Sequence, residues 1–149
     1  MFFFCFFQHT PLHWAATHGS NENVKLLIKN GANVLIFDEK GKTPLHWAAI
    51  NPTENAKSCV QTIINAAPTS INWQDFEGVS ALHLAVFKGS LEIIDTILST
   101  KHFDLEQMDN QFRTALFWAC CRLVIFCKCI NFFILVVLFF LLIMFNAFS

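Results

Sequence analysis

The sequence predicts an all-α solenoid, in which similar helix–turn–helix units with hairpin loops stack side by side, followed by a hydrophobic C-terminal helix. Two observations carry this prediction. A seven-residue motif occurs four times, at Thr10–Ala16, Thr43–Ala49, Ser80–Val86 and Thr114–Cys120, so successive starts lie 33, 37 and 34 residues apart. Self-similarity at a period of this length is the signature of stacked repeats. A long apolar run follows the last copy of the motif.

The composition divides the chain into three parts. All 11 acidic residues lie between Glu22 and Asp109, whereas 12 of the 18 Phe lie outside the repeats, in 2–7 and 126–148. We therefore predict an apolar extension at 1–8, repeats at 9–121 (10–42, 43–79, 80–113 and a partial 114–121) and a hydrophobic segment at 122–149. The formal net charge of −1 does not favour nucleic-acid binding.

Each motif is expected to start a first helix. In the first copy Thr10 is a suitable N-cap, and Pro11 fits the first turn because its missing N–H has no partner to lose there. The predicted helix covers Pro11–His18 and ends at Gly19, which readily adopts the left-handed conformation.

A second helix is expected after each of the first three motifs. The predicted spans are Asn21–Lys29, Glu54–Ala66 and Leu91–Ser99. In the first span Val24, Leu27 and Ile28 recur at the spacing of one helical face. Because the second period is four residues longer than the first, we expect an outward bulge near 51–53 or 67–71.

Hairpin turns are predicted between the units. The first two, Asp38–Gly41 and Asp75–Gly78, end with glycine at the position that needs positive φ. The third, Asp109–Phe112, has phenylalanine at that position. We therefore expect either a wider third turn or an anchoring contact made by Phe112.

The apolar run 123–145 predicts a membrane helix. Only Lys128 and Asn131 interrupt it, and as a helix it would be about 34 Å long, enough to cross about 30 Å of hydrocarbon. Arg122 and Lys128 flank its N-terminal side, so the positive-inside rule places the repeats in the cytosol. This interpretation gives a tail-anchored, membrane-associated protein.

The Phe-rich ends also have a second interpretation. Runs of Phe arise when T-rich non-coding DNA is translated, and the segment after Cys121 stands where the second helix of the fourth unit belongs. In that case the chain is a truncated gene-model fragment of a larger scaffold, with no independent function. The residues alone leave both interpretations open.

The motif Thr-Pro-Leu-His-x-Ala at a period near 33 resembles the ankyrin-repeat family. A closer resemblance, to the mid-array repeats of the inversin (nephrocystin) family, is carried by five segments: 9–16, 24–29, 65–69, 72–78 and 112–116. The 37-residue second period and the turn without glycine are also similar to that family. The resemblance covers about 8–120 and implies a scaffold that binds protein partners in the cytoplasm, cytoskeleton or cilium.

The motif histidines are His13, His46 and His83. The resemblance implies that each bonds to the motif Thr or Ser and to a neighbouring turn. One histidine per unit also means that they lie a repeat apart, so we predict no metal site. No catalytic motif and no phosphate-binding loop is recognisable, so we predict neither an enzyme nor a cofactor.

The best candidate for partner binding is a stripe along the concave face. Trp14, Trp47 and Leu84 directly follow the motif histidine, and Trp118 follows Phe117, which replaces it in the fourth unit. Repeat stacks bind partners on their concave surfaces, and Trp is enriched in interface hot spots. The alternative is that each indole packs between adjacent first helices.

The hairpin tips are the second candidate surface. Their residues are Asp38, Glu39, Lys40, Phe76 and Glu77. The simpler account is that their charges are solvated turn residues, which is what we expect of the hairpin carboxylates generally.

Overall fold

The chain folds into two rows of short helices. The computed structural model describes residues 9–126 apart from Pro52, Glu54 and Lys101, and for 123–126 it describes the backbone only. Within this part the helices are α1 (Pro11–Thr17), α2 (Asn21–Lys29), α3 (Pro44–Ile50), α4 (Ala56–Ala66), α5 (Ala81–Lys88), α6 (Leu91–Leu98) and α7 (Ala115–Phe126), with a 3-10 helix at Pro68–Asn72 after α4.

Successive units stack in the order of the sequence. The first helices α1, α3, α5 and α7 pack one on the next, and the second helices α2, α4 and α6 do the same in a parallel row. Each first helix also packs on the second helix of its own unit. This architecture confirms the predicted all-α repeat solenoid.

The core lies between the two rows. Small residues of the motif, such as Ala16 and Ala49, are fully buried and let neighbouring first helices approach closely. Leu45 and Ile63 fill the space between the rows and are also fully buried. Complete burial of one such side chain contributes about 1.5–3 kcal/mol to folding.

The predicted helices are close to those observed. The span Asn21–Lys29 is confirmed, and the longer second period is accommodated in two places. The loop at 51–55 has five residues where 18–20 has three, and α4 has 11 residues where α2 has nine. The predicted bulge therefore lies on the 51–53 side, and α4 begins at Ala56 rather than Glu54.

The three hairpin turns have the same hydrogen bonds. The N–H of Gly41, Gly78 and Phe112 donates to the carbonyl of Asp38, Asp75 and Asp109, at 2.9–3.0 Å. Phe112 has φ 59°, so it adopts the left-handed conformation of the two glycines. Its side chain is 85% exposed. Both expectations for Phe112 were therefore wrong, because the turn is not wider and the ring anchors nothing.

The last helix continues beyond the end of the motif. Helix α7 has 12 residues, compared with seven or eight in the other first helices, and it passes Cys121 to end at Phe126. Among the described residues no helix is both long and apolar enough to cross a membrane. Most of the predicted span 123–145, and all of 1–8, lie outside the described residues.

Candidate protein-interaction surface

The motif histidines link each unit to the next. The backbone N–H of Thr10, Thr43 and Ser80 donates to Nδ1 of His13, His46 and His83, at 3.1–3.3 Å. Because Nδ1 accepts, Nε2 carries the proton and donates to a carbonyl one unit further on. Those carbonyls belong to Lys42, Val79 and Arg113, at 3.0–3.1 Å. The structural role that the resemblance implied for these histidines is confirmed.

Burial keeps these imidazoles neutral. All three histidines are almost completely inaccessible to solvent. Burial disfavours the charged form and lowers the pKa of His46 to about 4, with the carbonyl of Val79 opposing the shift. Burial likewise lowers the pKa of His13 and of His83. The histidines act as neutral hydrogen-bonding links, and within the described part of the chain no three His, Cys, Asp or Glu side chains form a group that could hold a metal.

Each hairpin encloses a buried aspartate. Asp38 is only 1% exposed, and Asp75 and Asp109 are also buried. In each case Oδ1 accepts the N–H groups two and four residues later, at 2.8–2.9 Å; for Asp38 these belong to Lys40 and Lys42. The expectation that the hairpin carboxylates are solvated was wrong for these three. The missed signal is their position, five residues before each motif.

The second carboxylate oxygen of each aspartate binds a different side chain. The indole N–H of Trp47 donates to Asp38 at 2.9 Å. In the same way Trp118 donates to Asp109 at 3.0 Å. At the second hairpin Leu84 replaces the indole, and Asp75 is instead paired with the ammonium group of Lys42.

Asp109 has the strongest set of donors. Its burial would raise the pKa, but hydrogen bonds from the backbone and guanidinium of Arg113 and from Trp118 outweigh it and lower the pKa to about 2. The guanidinium lies 2.7 Å from Oδ2 and also covers the Trp118 ring, 5.1 Å from its centroid. Trp118 is therefore fixed by its hairpin from two sides.

The predicted stripe is interrupted in the middle. Trp14 is 50% exposed, Trp47 and Trp118 are half-buried, and Leu84 is only 8% exposed. Leu84 therefore contributes little accessible surface. The indoles of Trp47 and Trp118 are oriented by the hairpin aspartates, which neither of the two sequence-based interpretations included.

Two aromatic clusters flank this interruption. In the first, the His9 ring lies 4.8 Å from Trp47 and 5.8 Å from Trp14. In the second, Phe87 lies 5.8 Å from Trp118. The sequence-based selection did not include His9 or Phe87, although Phe87 is 56% exposed and stands three residues after Leu84, on the same helix face.

The hairpin tips present a mixed surface. Glu39, Lys40 and Glu77 are exposed, and Phe76 is largely exposed beside Phe37, with 6.0 Å between ring centroids. Adjacent hairpins are joined by a backbone bond from the N–H of Phe76 to the carbonyl of Lys40, at 3.1 Å. Of the five predicted tip residues, only Asp38 faces inward.

The two rows of helices, the hairpins and the histidine links define an ankyrin-repeat protein. Residues 4–70 and 53–134 match the family described as Ankyrin repeats (3 copies), so the chain belongs to the ankyrin-repeat family. Ankyrin repeats form solenoids with extended surfaces that bind other proteins.

Within that family the chain is similar to inversin. It is 45% identical to inversin of Homo sapiens over 107 residues and 46% identical to inversin of Danio rerio over the same length. Inversin-B of Xenopus laevis is 42% identical over 107 residues. Each alignment covers 70% of this chain and 10–11% of the relative, so the chain spans about a tenth of the length of these relatives.

Proposed function

We propose that the chain is a protein-interaction module whose two aromatic clusters bind a protein partner. One observation carries the proposal: Trp14 and Phe87 keep at least half of their surface exposed, although neighbouring aromatic side chains are fixed by buried hydrogen bonds. Exposed aromatic residues on a rigid support are typical interface hot spots. The partner is expected to insert apolar side chains beside Trp14 and Phe87.

The similarity to inversin supports the same kind of role. It favours an inversin-like scaffold repeat region that acts in the cytoplasm, cytoskeleton or cilium and has no enzymatic activity. The hairpin tips, with Glu39, Lys40 and Glu77, supply exposed charges next to the aromatic clusters. Such a polar rim around an apolar centre is the usual anatomy of a protein interface.

The test compares two exposed aromatic residues. The full chain is used as bait from a cell extract, and captured proteins are quantified for the wild type, Trp14→Ala and Phe112→Ala. Trp14 belongs to the first cluster, whereas Phe112 lies at the third hairpin. We expect Trp14→Ala to reduce capture at least tenfold at an unchanged melting temperature, and Phe112→Ala to leave capture intact. Equal capture by all three proteins would rule out the aromatic clusters.

A second candidate role is attachment to a membrane through 123–145. The favouring observation is that α7 remains helical to Phe126, five residues past Cys121, and so enters the apolar run. Substitution of Leu135 and Leu138 by Arg should release the chain from membranes in alkaline carbonate, because each charge at mid-membrane costs about 2.5–3.5 kcal/mol. Release of the wild-type chain under the same conditions would exclude the anchor.

A further inference from the structure

The internal units are joined by a polar contact between their second helices. The hydroxyl of Thr62 in α4 donates to Oδ1 of Asn21 in α2, at 2.7 Å. Position 62 therefore faces the preceding unit, and position 21 faces the following one. The same two positions can be followed through the other second helices.

The corresponding residues at the two ends of the array are leucines. Helices α2 and α6 each begin one residue after a serine N-cap, so Asn21 corresponds to Leu91. The runs Leu26-Leu27-Ile28 and Thr62-Ile63-Ile64 correspond in the same way, so Leu26 takes the place of Thr62. Leucine thus replaces a polar residue at the position facing outward from each end.

Both leucines are accessible. Leu26 is 58% exposed and Leu91 is 78% exposed. Next to Leu26 lies an open cavity of about 650 Å³, between α1 and α2, with Pro11 and Leu27 among its lining residues. The equivalents of these two residues in the second unit, Pro44 and Ile63, are buried by the unit that precedes them. The cavity therefore marks a stacking face without its neighbour.

The opposite end has lost its polar link as well. In α7 Phe117 stands at the motif position of histidine, so this unit has no imidazole to donate to a following carbonyl. Phe117 and Leu116 are both exposed, as is Leu98 on α6. The C-terminal face is apolar where the internal junctions use hydrogen bonds.

The charges at the two ends have opposite signs. Lys29 follows Leu26 by three residues on α2, and Asp95 follows Leu91 by four residues on α6, so each charge lies on the same helix face as its leucine. Both charged residues are exposed. A contact between the two faces would thus bring a cation near an anion around a leucine–leucine centre.

We propose that a second copy of this chain stacks on the first head to tail. The N-terminal face, defined by Pro11, Leu26 and Lys29, packs on the C-terminal face, defined by Leu91, Asp95 and Phe117. The Leu26–Leu91 contact takes the place of the Thr62–Asn21 hydrogen bond, and the solenoid continues across molecules. Such a contact joins two different surfaces, so it leaves one of each free and can extend into longer chains.

The test uses the full chain and two single substitutions in sedimentation velocity over a range of concentrations. Leu26→Asp blocks the N-terminal face by placing a carboxylate against Leu91 and Asp95 of the other copy, and Leu91→Asp blocks the C-terminal face. We expect the wild type to form dimers and longer species as its concentration rises. Loss of one buried leucine contact should weaken self-association at least about tenfold in each variant.

A mixture of the two variants is the decisive sample. The Leu26→Asp copy keeps an intact C-terminal face, and the Leu91→Asp copy keeps an intact N-terminal face. An equimolar mixture should therefore form a one-to-one dimer and stop there. A monomer at all concentrations, association that neither substitution changes, or a mixture that does not recover the dimer would each overturn the proposal.

The controls separate association from folding. Ser58→Asp adds the same charge to internal helix α4, at a position where α2 and α6 carry Glu22 and Glu92, and should leave association unchanged. Leu26→Thr and Leu91→Asn, the residues of the internal junction, should reproduce the loss at an unchanged melting temperature. All variants retain Trp14 and Phe87, so failure here leaves the proposed partner binding unaffected.

Discussion

Nε2 of His46 lies 3.0 Å from the carbonyl oxygen of Val79, 33 residues further along the chain. This bond joins the start of one first helix to the start of the next. The other nitrogen of the same ring accepts the N–H of Thr43 at 3.1 Å, so one side chain satisfies buried groups in two units. The stacking of the units therefore depends on side chains as well as on apolar packing.

Removal of this ring should destabilise the array. We expect His46→Ala to lower the free energy of unfolding by about 2–3 kcal/mol, because the buried N–H of Thr43 and carbonyl of Val79 lose their partner. Urea unfolding of the full chain measures the change. His18→Ala, which removes an exposed imidazole, is the matched control and should change stability by less than about 0.5 kcal/mol. Equal effects of the two substitutions would contradict the linking role.

The neutral histidines predict a loss of stability in mild acid. The pKa of His46 is about 4 in the folded chain and near 6.5 when unfolded, so between these values the unfolded state binds more protons. The free energy of unfolding should be complete above pH 6.5 and fall as pH is lowered towards 4, by up to about 1.4 kcal/mol per pH unit from this residue. His13 and His83 act in the same direction.

Urea unfolding at several pH values tests this dependence. His46→Gln should reduce the slope between pH 6.5 and 4. The Asp109 carboxylate, with a pKa of about 2, contributes stability that is present above pH 4 and is lost only below it, so it does not disturb this window. A stability that stays constant from pH 6.5 to 4 would disprove the neutral, buried state of the histidines.

Two adjacent hairpin residues should differ sharply in their effects. Asp38→Ala removes the acceptor of the N–H groups of Lys40 and Lys42 and of the Trp47 indole. We expect a loss of about 1–3 kcal/mol in the free energy of unfolding. Glu39→Ala, at the exposed neighbouring position, should have an effect below about 0.5 kcal/mol. Thermal unfolding of both variants makes the comparison, and a larger effect for Glu39→Ala would refute the assignment.

The third hairpin should tolerate glycine better than its natural residue. Phe112 has φ 59°, a conformation that costs a non-glycine residue about 1–2 kcal/mol. Its ring is exposed, so little packing is lost, and Phe112→Gly should raise the free energy of unfolding by about 1 kcal/mol. Phe112→Ala, which keeps the strained Cβ, should change it by less than about 0.5 kcal/mol.

The equivalent glycine gives the reverse experiment. A Cβ at Gly78 would lie 2.8 Å from the backbone nitrogen of Asn110 in the next hairpin, and Gly78 also has positive φ. Gly78→Ala should therefore destabilise the chain by more than about 1 kcal/mol. Denaturant midpoints of the three variants provide the test. A stable Gly78→Ala chain, or a destabilised Phe112→Gly chain, would contradict the account of the hairpins.

The sequence predicted what depends on local chemistry. The motif Thr or Ser, the proline after it and the helical spacing of residues such as Val24 set helix starts and faces before any packing is considered. The repeat period then predicted the stacking. The histidine links followed from a family resemblance, because the carbonyl acceptors lie a full unit away.

Other features depend on packing between units. Asp38 appears in the sequence as an ordinary turn residue, and only the fold of its hairpin and the Trp47 indole make it a buried acceptor. Leu84 follows the stripe pattern, but packing buries it. The extension of α7 past Cys121 could not be predicted, because the motif supplies no helix-ending residue such as glycine there.

The most direct test of the central claim is hydroxyl-radical footprinting of the full chain, alone and bound to its captured protein partner. Side-chain oxidation at Trp14, Phe87 and Phe112 is quantified by mass spectrometry; all three are exposed in the free chain. A module that binds through its aromatic clusters should show several-fold protection of Trp14 and Phe87 and an unchanged rate at Phe112. Unchanged oxidation of Trp14 and Phe87 in the complex would show that the partner binds elsewhere.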